Sequence, residues 1–299
     1  MPRALRVATR GSALARVQAQ RVVELLGVAA ELVVVSTIGD ERPDTPIHAM
    51  GGTGVFTKEV QQALLDDRAD LAVHSAKDLP ASGAPDGIVL ASVPERADVR
   101  DALVGAALAD LATGARVGTG SVRRRAQLAA LRPDLEFGEL RGNIATRLGK
   151  AAQYDAIVVA AAALARLGRL DAAAQVLDPD LVLPQVGQGA LAVECRVDDH
   201  DTRERLAAID DTIAHAAVGA ERAFLATLGG GCDLPCAALA RVEDGAVVID
   251  ALLASPDGAT VVRSSARDHS PLDAGQRVAG AILDQGGRAL LDDAGSGEP

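Results

Sequence analysis

Short apolar runs alternating with helix-patterned segments set the architecture from the first residues. Leu5–Thr9 reads as a buried strand. Ser12 can cap a helix over about Ala13–Leu26, whose Leu14, Val17, Val22 and Leu25 form an apolar stripe, and Leu32–Ser36 reads as the next strand. Strand–helix–strand is the opening of an α/β domain. Such sheets meet ligands where a strand ends and a helix begins, which is where Arg10 and Ser12 fall. A surface arginine beside an ordinary helix cap fits the same two residues.

The pattern continues along the chain. Met50–Phe56, MGGTGVF, is a glycine-rich loop in front of a helix near Thr57–Asp67. It lacks the spacing and the GK[ST] ending of a phosphate-binding loop, so it reads as a mobile flap. Asp70–His74 is a strand that runs straight into Ser75, Lys77 and Asp78. A hydroxyl, a cation and a carboxylate thus crowd one strand end, although a Lys77–Asp78 pair on a solvated turn is the plainer alternative. Val93–Val99 crosses into a second unit, where Arg116–Gly118 is a strand and Thr119–Gly120–Ser121 turns into the helix VRRRAQLAAL. Hydroxyls and bare amides at a helix N-terminus suit an anion. Arg123, Arg124 and Arg125 stand at the helix end whose dipole favours negative charge, so they answer to something negative outside the helix.

A dinucleotide fold is excluded. Gly118, Gly120 and Glu139 fit its fingerprint, but Arg123 takes the place of the third glycine, where a side chain blocks close packing. After the strand Leu135–Leu140 come Arg141 and Arg147. Ala156–Ala160 is a further strand, and the helix after it carries Arg166 and closes at Gly168. Gln185–Gly189, QVGQG, makes a second crossing into the strand Ala190–Cys195. An apolar-rich helix from Thr212 to about Leu228 then delivers the chain to LGGGCDLPC, Leu228–Cys236. Three glycines there free the backbone to hold a thiol, Cys232, out on a mobile loop; a tight turn with a buried cysteine is the alternative. Beyond it, Ala237–Arg241, Ala246–Ala254 and Thr260–Arg267 read as antiparallel strands, followed by a helix over about Leu272–Leu283 and a disordered tail, Asp292–Pro299.

Composition narrows the partners. With 299 residues, 48% of them hydrophobic, the chain holds two or three domains with real cores. One tyrosine, three phenylalanines and no tryptophan leave little for base stacking, and a net charge of −11 opposes nucleic acid and anionic membrane alike. The start, MPRALRVATR, has no apolar signal core, and no run is long enough to span a bilayer. Three cysteines without metal-ligand spacing suit a reducing, cytoplasmic setting. Cys232 and Cys236, four apart with no histidine near, argue against zinc.

Six arginines sit at element ends: Arg10, Arg123, Arg124, Arg141, Arg147 and Arg166. The planar guanidinium grips carboxylates bidentately, at roughly 1.5–3 kcal/mol for one charge-assisted bond. So many donors suit a ligand with many carboxylates. A lone carboxylate among them, Asp78, can steady a developing positive charge or relay a proton.

The segments ATRGSALARVQAQ, GGTGVFTKE, RADLAVHSAKDLP, RDALV, VGTGSVRRRAQL, LRGNIATRL, LPQVGQGALAVECR and GGGCDLP, in this order between residues 6 and 235, resemble the motifs of the porphobilinogen deaminase (hydroxymethylbilane synthase) family. The C-terminal part resembles the family in length and pattern only. The resemblance implies an α/β fold of two doubly wound, periplasmic-binding-protein-like domains around a cleft. A small C-terminal α+β domain with a three-stranded antiparallel sheet completes it. The implied boundaries are 1–95 with 189–209, then 96–188, then 210–299. It implies a dipyrromethane cofactor on Cys232 through a thioether, with Cys195 and Cys236 matching no cofactor position. It implies stepwise condensation of porphobilinogen with loss of ammonia, then hydrolytic release of 1-hydroxymethylbilane, with Asp78 as the catalytic carboxylate. Ser75, Lys77, Asp78, Thr119, Ser121, Arg123 and Arg124 match cofactor-holding positions. Arg10, Ser12, Arg141, Arg147, Arg166 and Gln188 match positions around the substrate. Thr53, Gly120 and Gly229 depart from the frequent family residues. A monomer is expected, since no strong apolar interface helix stands out. A non-catalytic two-lobed binding protein for a carboxylated small molecule is the competing reading.

Overall fold

The structure, a computed structural model, describes residues 3–37, 54–81, 83–230 and 234–296. In chain order the elements are β1 (Leu5–Arg10), α1 (Ala13–Leu26), β2 (Ala30–Val35), α2 (Lys58–Leu65), β3 (Leu71–Ser75), β4 (Ile88–Ser92), β5 (Asp101–Val104) and β6 (Arg116–Gly118). There follow α3 (Val122–Leu131), β7 (Glu136–Gly138), α4 (Ile144–Gly149), β8 (Ala156–Ala160), α5 (Ala161–Arg166), β9 (Gln175–Val176) and β10 (Leu191–Arg196). The last are α6 (His200–Ala207), α7 (Thr212–Thr227), β11 (Cys236–Glu243), β12 (Ala246–Ala254), β13 (Val261–Asp268), α8 (Pro271–Ile282) and α9 (Arg288–Ser296). The chain forms two compact units, Met1–Ala97 with Gly189–His215, and Asp98–Gln188 with Ala216–Pro299.

The first unit is a five-stranded sheet in the order β2-β1-β3-β10-β4. β1 runs parallel to β2 and β3, whereas β10 is antiparallel to both its neighbours. Alternation along the strands divides the core between two faces. Val7, Leu71 and Val193 pack with Ala19 and Val22 of α1 and Leu206 of α6. Ala8 and Ala72 pack on the other face with Val60, Ala63 and Leu64 of α2. α1 forms as the sequence predicts. Ser12 caps it by accepting from the Ala15 amide at 3.2 Å, and Gly27 ends it with φ 62°, a value glycine adopts without strain.

The second unit repeats this plan in a sheet ordered β7-β6-β8-β5-β9. β6 is parallel to β7 and β8, and β5 is antiparallel to β8 and β9. Each crossing segment therefore supplies the one antiparallel strand in the interior of the sheet it enters, β5 after the first crossing and β10 after the second. Helices cover both faces, α3 through Leu128 on one and α5 through Leu164 on the other. This is the doubly wound α/β arrangement expected.

The same unit carries the three-stranded antiparallel sheet β11-β12-β13. Its β11–β12 turn puts Asp244 and Gly245 at φ 50° and 73°, the two left-handed residues that a tight hairpin needs. One face packs on α7 and α8 around Phe224, Ile249 and Val278. The other packs against Ala126 of α3 and against Leu183, which meet Ala237, Leu252 and Ala254. Each such leucine or isoleucine contributes about 1.5–3 kcal/mol by leaving water.

The tail departs from expectation. Asp292–Ser296, expected to be disordered, is the end of α9. Leu290 and Leu291 pack against the core beneath the third sheet, which anchors a helix whose other residues are small or charged. Helix α6 was also not foreseen, because its eight residues are mostly polar and only Thr202 and Leu206 are buried.

Candidate active site

In the first unit, functional side chains gather where β1 and β3 end. An open hollow is lined by Arg10, Ser12, Gln18, Phe56, Ser75 and Asp78, among others. Arg10 is the last residue of β1, and its guanidinium carbon lies 4.2 Å from the centre of the Phe56 ring. A cation over an aromatic face is attracted by the ring quadrupole, and the contact sets the direction of the guanidinium. Gln18, 4% exposed on the inner side of α1, donates its amide to the Ser75 hydroxyl at 2.8 Å. Helix α1 thereby fixes the hydroxyl at the end of β3. The turn after β3, Ala76–Asp78, is a single 3₁₀ turn that places Lys77 and Asp78 half-buried. Among the described residues, no hydrogen bond or ion pair claims the Asp78 carboxylate. Behind it, buried His74 and Glu194 lie 3.2 Å apart across β3 and β10, and Gln61 donates to both Glu194 oxygens at 3.1 and 2.9 Å.

The second unit builds a different cluster at the ends of β6 and β5. Gly118 ends β6, and Thr119 Oγ1 accepts from the Ser121 amide at 3.2 Å. Ser121 caps α3 by accepting from the Arg124 amide at 3.4 Å. Arg123 and Arg124 are 3% and 5% exposed and turn inward onto Asp101, which is 0% exposed. Arg123 Nη2 donates to Asp101 Oδ2 at 2.7 Å, and Arg124 Nη2 and Nε donate to Oδ1 at 2.7 and 3.1 Å. Gln188, also 0% exposed, donates Nε2 to Asp101 Oδ1 at 2.9 Å and to the Val99 carbonyl at 2.8 Å. Burial alone raises the Asp101 pKa, but the two guanidiniums outweigh it and hold the carboxyl well below the usual range. Burial lowers the pKa of Arg123, and Asp101 opposes this. The α3 face also holds the second crossing. Gln127 bonds the Leu183 carbonyl and amide at 3.0 and 2.7 Å, and Arg123 Nη1 donates to the same carbonyl at 2.7 Å.

The remaining predicted residues stand apart from this cluster. Arg141 pairs with Glu139, Arg147 Nε donates to the Gly142 carbonyl at 2.8 Å, and both lie around the start of α4. Arg166 ends α5, and burial pulls its pKa down to about 10. Cys195 and Cys236 are buried and form no disulfide with one another, and burial pushes the Cys195 thiol up to about 11. No group of residues among those described could hold a metal ion. Cys232 and Thr53 lie outside the described residues.

The sequence reasoning missed Asp101, Gln18 and Phe56 as parts of these clusters. Gln18 falls in a helix pattern and Asp101 opens a strand, and neither position carries a local signal of its task. Gly118, expected and found as the last residue of a strand, is a glycine for a steric reason. The Tyr154 ring lies across the ends of β6 and β7, so a Cβ on Gly118 or Gly138 would come within 2.9 or 2.5 Å of it.

Two family models match this chain. "Porphobilinogen deaminase, dipyromethane cofactor binding domain" covers residues 5–204, and "Porphobilinogen deaminase, C-terminal domain" covers residues 215–284. The chain belongs to the porphobilinogen deaminase family. Among curated porphobilinogen deaminases, that of Roseiflexus sp. (strain RS-1) is 47% identical over 97% of this chain and 99% of its own. That of Acidithiobacillus ferrooxidans (strain ATCC 53993 / BNL-5-31) is 45% identical over 98% and 99%. A distant likeness to an arginine-specific periplasmic binding protein of Salmonella typhimurium covers 70% of this chain and 92% of that one, with 15% identity and a TM-score of 0.38.

The residues present fit the family's acidic cofactor. Two guanidiniums share one carboxylate in the buried cluster of the second unit, which leaves one positive charge over. Arg123 Nε is buried there without a hydrogen-bond partner among the described residues. A porphobilinogen deaminase holds an oligopyrrole whose every ring brings carboxylates, and such a surplus suits it.

Proposed function

We propose that this chain is a porphobilinogen deaminase (hydroxymethylbilane synthase), a transferase of tetrapyrrole and heme biosynthesis. Porphobilinogen loses ammonia, its methylene carbon bonds to the free α-carbon of the growing chain's last ring, and that carbon releases its proton. Hydrolysis then frees 1-hydroxymethylbilane. When bound, the dipyrromethane supplies a permanent primer, held by a thioether that resists hydrolysis. The observation that carries this reading is the pairing of near-full-length family identity with one carboxylate, Asp78, left unclaimed in a hollow that also presents Arg10, Ser12 and Ser75.

In this account Asp78 accepts pyrrole N–H groups and steadies positive charge on the ring undergoing substitution. Ser75, Lys77, Thr119, Ser121, Arg123 and Arg124 bind acidic side chains of the cofactor. Arg10, Ser12, Arg141, Arg147, Arg166 and Gln188 serve the substrate and the lengthening product. The burial of Gln188 and of the α3 arginines supports action through a fixed, pre-organised cluster more than through mobile surface contacts. Cys232 is the attachment point. The functional segments are 1–95 with 189–209, then 96–188, and 210–299, which carries the cysteine. The protein works as a cytoplasmic monomer on a small molecule, without nucleic acid or membrane. No helix among the described residues is long and apolar enough to cross a bilayer.

The test is incubation of the purified protein with porphobilinogen while ammonia and linear tetrapyrrole are measured together. Release of four ammonia per tetrapyrrole is expected from the stoichiometry of the condensation. Saturable binding of porphobilinogen with no ammonia released would instead identify a two-lobed binding protein.

A further inference from the structure

The two α3 arginines owe their directions to a residue outside their own motif. Asp101, the first residue of β5, accepts from Arg123, Arg124 and Gln188 at 2.7–2.9 Å through their terminal nitrogens and is fully buried. These partners come from three separate stretches: a strand start, a helix N-terminus and the second crossing. A buried guanidinium has many rotamers and a large desolvation cost, so it needs a fixed anion to balance its charge, while neutral carbonyls, Leu183 for Arg123 and Val158 for Arg124, hold one further nitrogen each at 2.7 and 3.1 Å. Asp101 is that anion, and among the described residues no second carboxylate pairs with either arginine.

We infer that Asp101 is the positioning residue of the dipyrromethane site. Its carboxylate sets the directions of Arg123, Arg124 and Gln188 and leaves the cluster one positive charge over for an acidic group of the cofactor. This rests on the proposed function. Asp101 does not itself touch the cofactor; it acts through the arginines. A carboxylate that served folding alone would stabilise the second unit, yet its loss would leave the loading of folded protein unchanged.

The experiment uses full-length protein made in a host that cannot form porphobilinogen, so that it is obtained without cofactor. Wild type, Asp101→Asn and Asp101→Glu are mixed with porphobilinogen well below the melting temperature of each. The mass increase of one dipyrromethane is then followed over time on the intact protein. Folded Asp101→Asn, checked by circular dichroism, is expected to load at least about tenfold more slowly than wild type, the scale of one charge-assisted hydrogen bond. Loading of Asp101→Asn at the wild-type rate overturns the inference. If Asp101→Asn does not fold, Asp101→Glu decides. It keeps the counter-charge but moves it by one methylene, so slower loading than wild type supports positioning, and the wild-type rate overturns it. Failure of wild type to load would instead overturn the proposed function, and this inference with it.

Discussion

Asp78→Asn should abolish most turnover and leave the fold intact. The substitution keeps the shape of the side chain and removes its charge. Two opposite charges about 4 Å apart at a half-buried site attract by about 4 kcal/mol at an effective dielectric constant of about 20. The asparagine carbonyl still accepts one pyrrole N–H, so part of the interaction survives. The net loss is then about 3–4 kcal/mol, close to the cost of removing one pre-organised group in other active sites. That converts to a fall in kcat of about a hundred- to a thousandfold. Stability should barely change, because no described residue bonds to the Asp78 carboxylate. A change within about 0.5 kcal/mol is typical of such positions. The assay is steady-state ammonia release with a thermal melt of the same preparation, and KM should move much less than kcat. Turnover within a factor of ten of wild type would refute the role given to Asp78.

Two further predictions concern the frame that holds the site. Asp70 is buried at the start of β3. Burial raises its carboxyl pKa, but bonds from Arg6 and Arg3 outweigh this and hold it at about 2. A depressed carboxyl stabilises the fold above its unfolded value of about 3.9, and this is lost as pH falls through about 2. Asp70→Asn should therefore cost about 2 kcal/mol in denaturant unfolding at neutral pH, and the gap to wild type should close between about pH 4 and 2. Gly258→Ala should destabilise the second unit, because the glycine has φ 75° and its added Cβ would collide with the Ala126 carbonyl oxygen on α3. A loss of about 1–3 kcal/mol is expected, read as a lower melting temperature, whereas alanine at Gly280, where a Cβ meets nothing within 4 Å, should be tolerated.

Much of the fold is legible because the strands are short, apolar and punctuated by glycine, serine or proline. The alternation of Val7 and Ala8, or of Leu71 and Ala72, between two cores is carried by residue order alone. The tail was misjudged because its composition is that of a solvated segment, and only Leu290 and Leu291 anchor it to a distant core. At the site, the strand-end positions of Arg10, Ser75 and Asp78 follow from local pattern. The partner of Arg123 and Arg124 does not. Helix-dipole reasoning required something negative near them, and Asp101 meets that need from 22 and 23 residues away, at the start of an interior strand that no local rule places beside α3. Gln18 shows the same limit, since its bond to Ser75 spans 57 residues. Tertiary contacts of this kind arise from topology, and the topology is fixed by all the strands together.

The central claim is that a covalently held oligopyrrole primes the chemistry from Cys232. The most direct measurement is the intact mass of the protein purified from a host competent in porphobilinogen synthesis, followed by peptide mapping. The account predicts a mass above that of the sequence by one dipyrromethane, located on Cys232 and absent from Cys232→Ser. An unmodified Cys232 in active protein, or the added mass on Cys195 or Cys236, would contradict it.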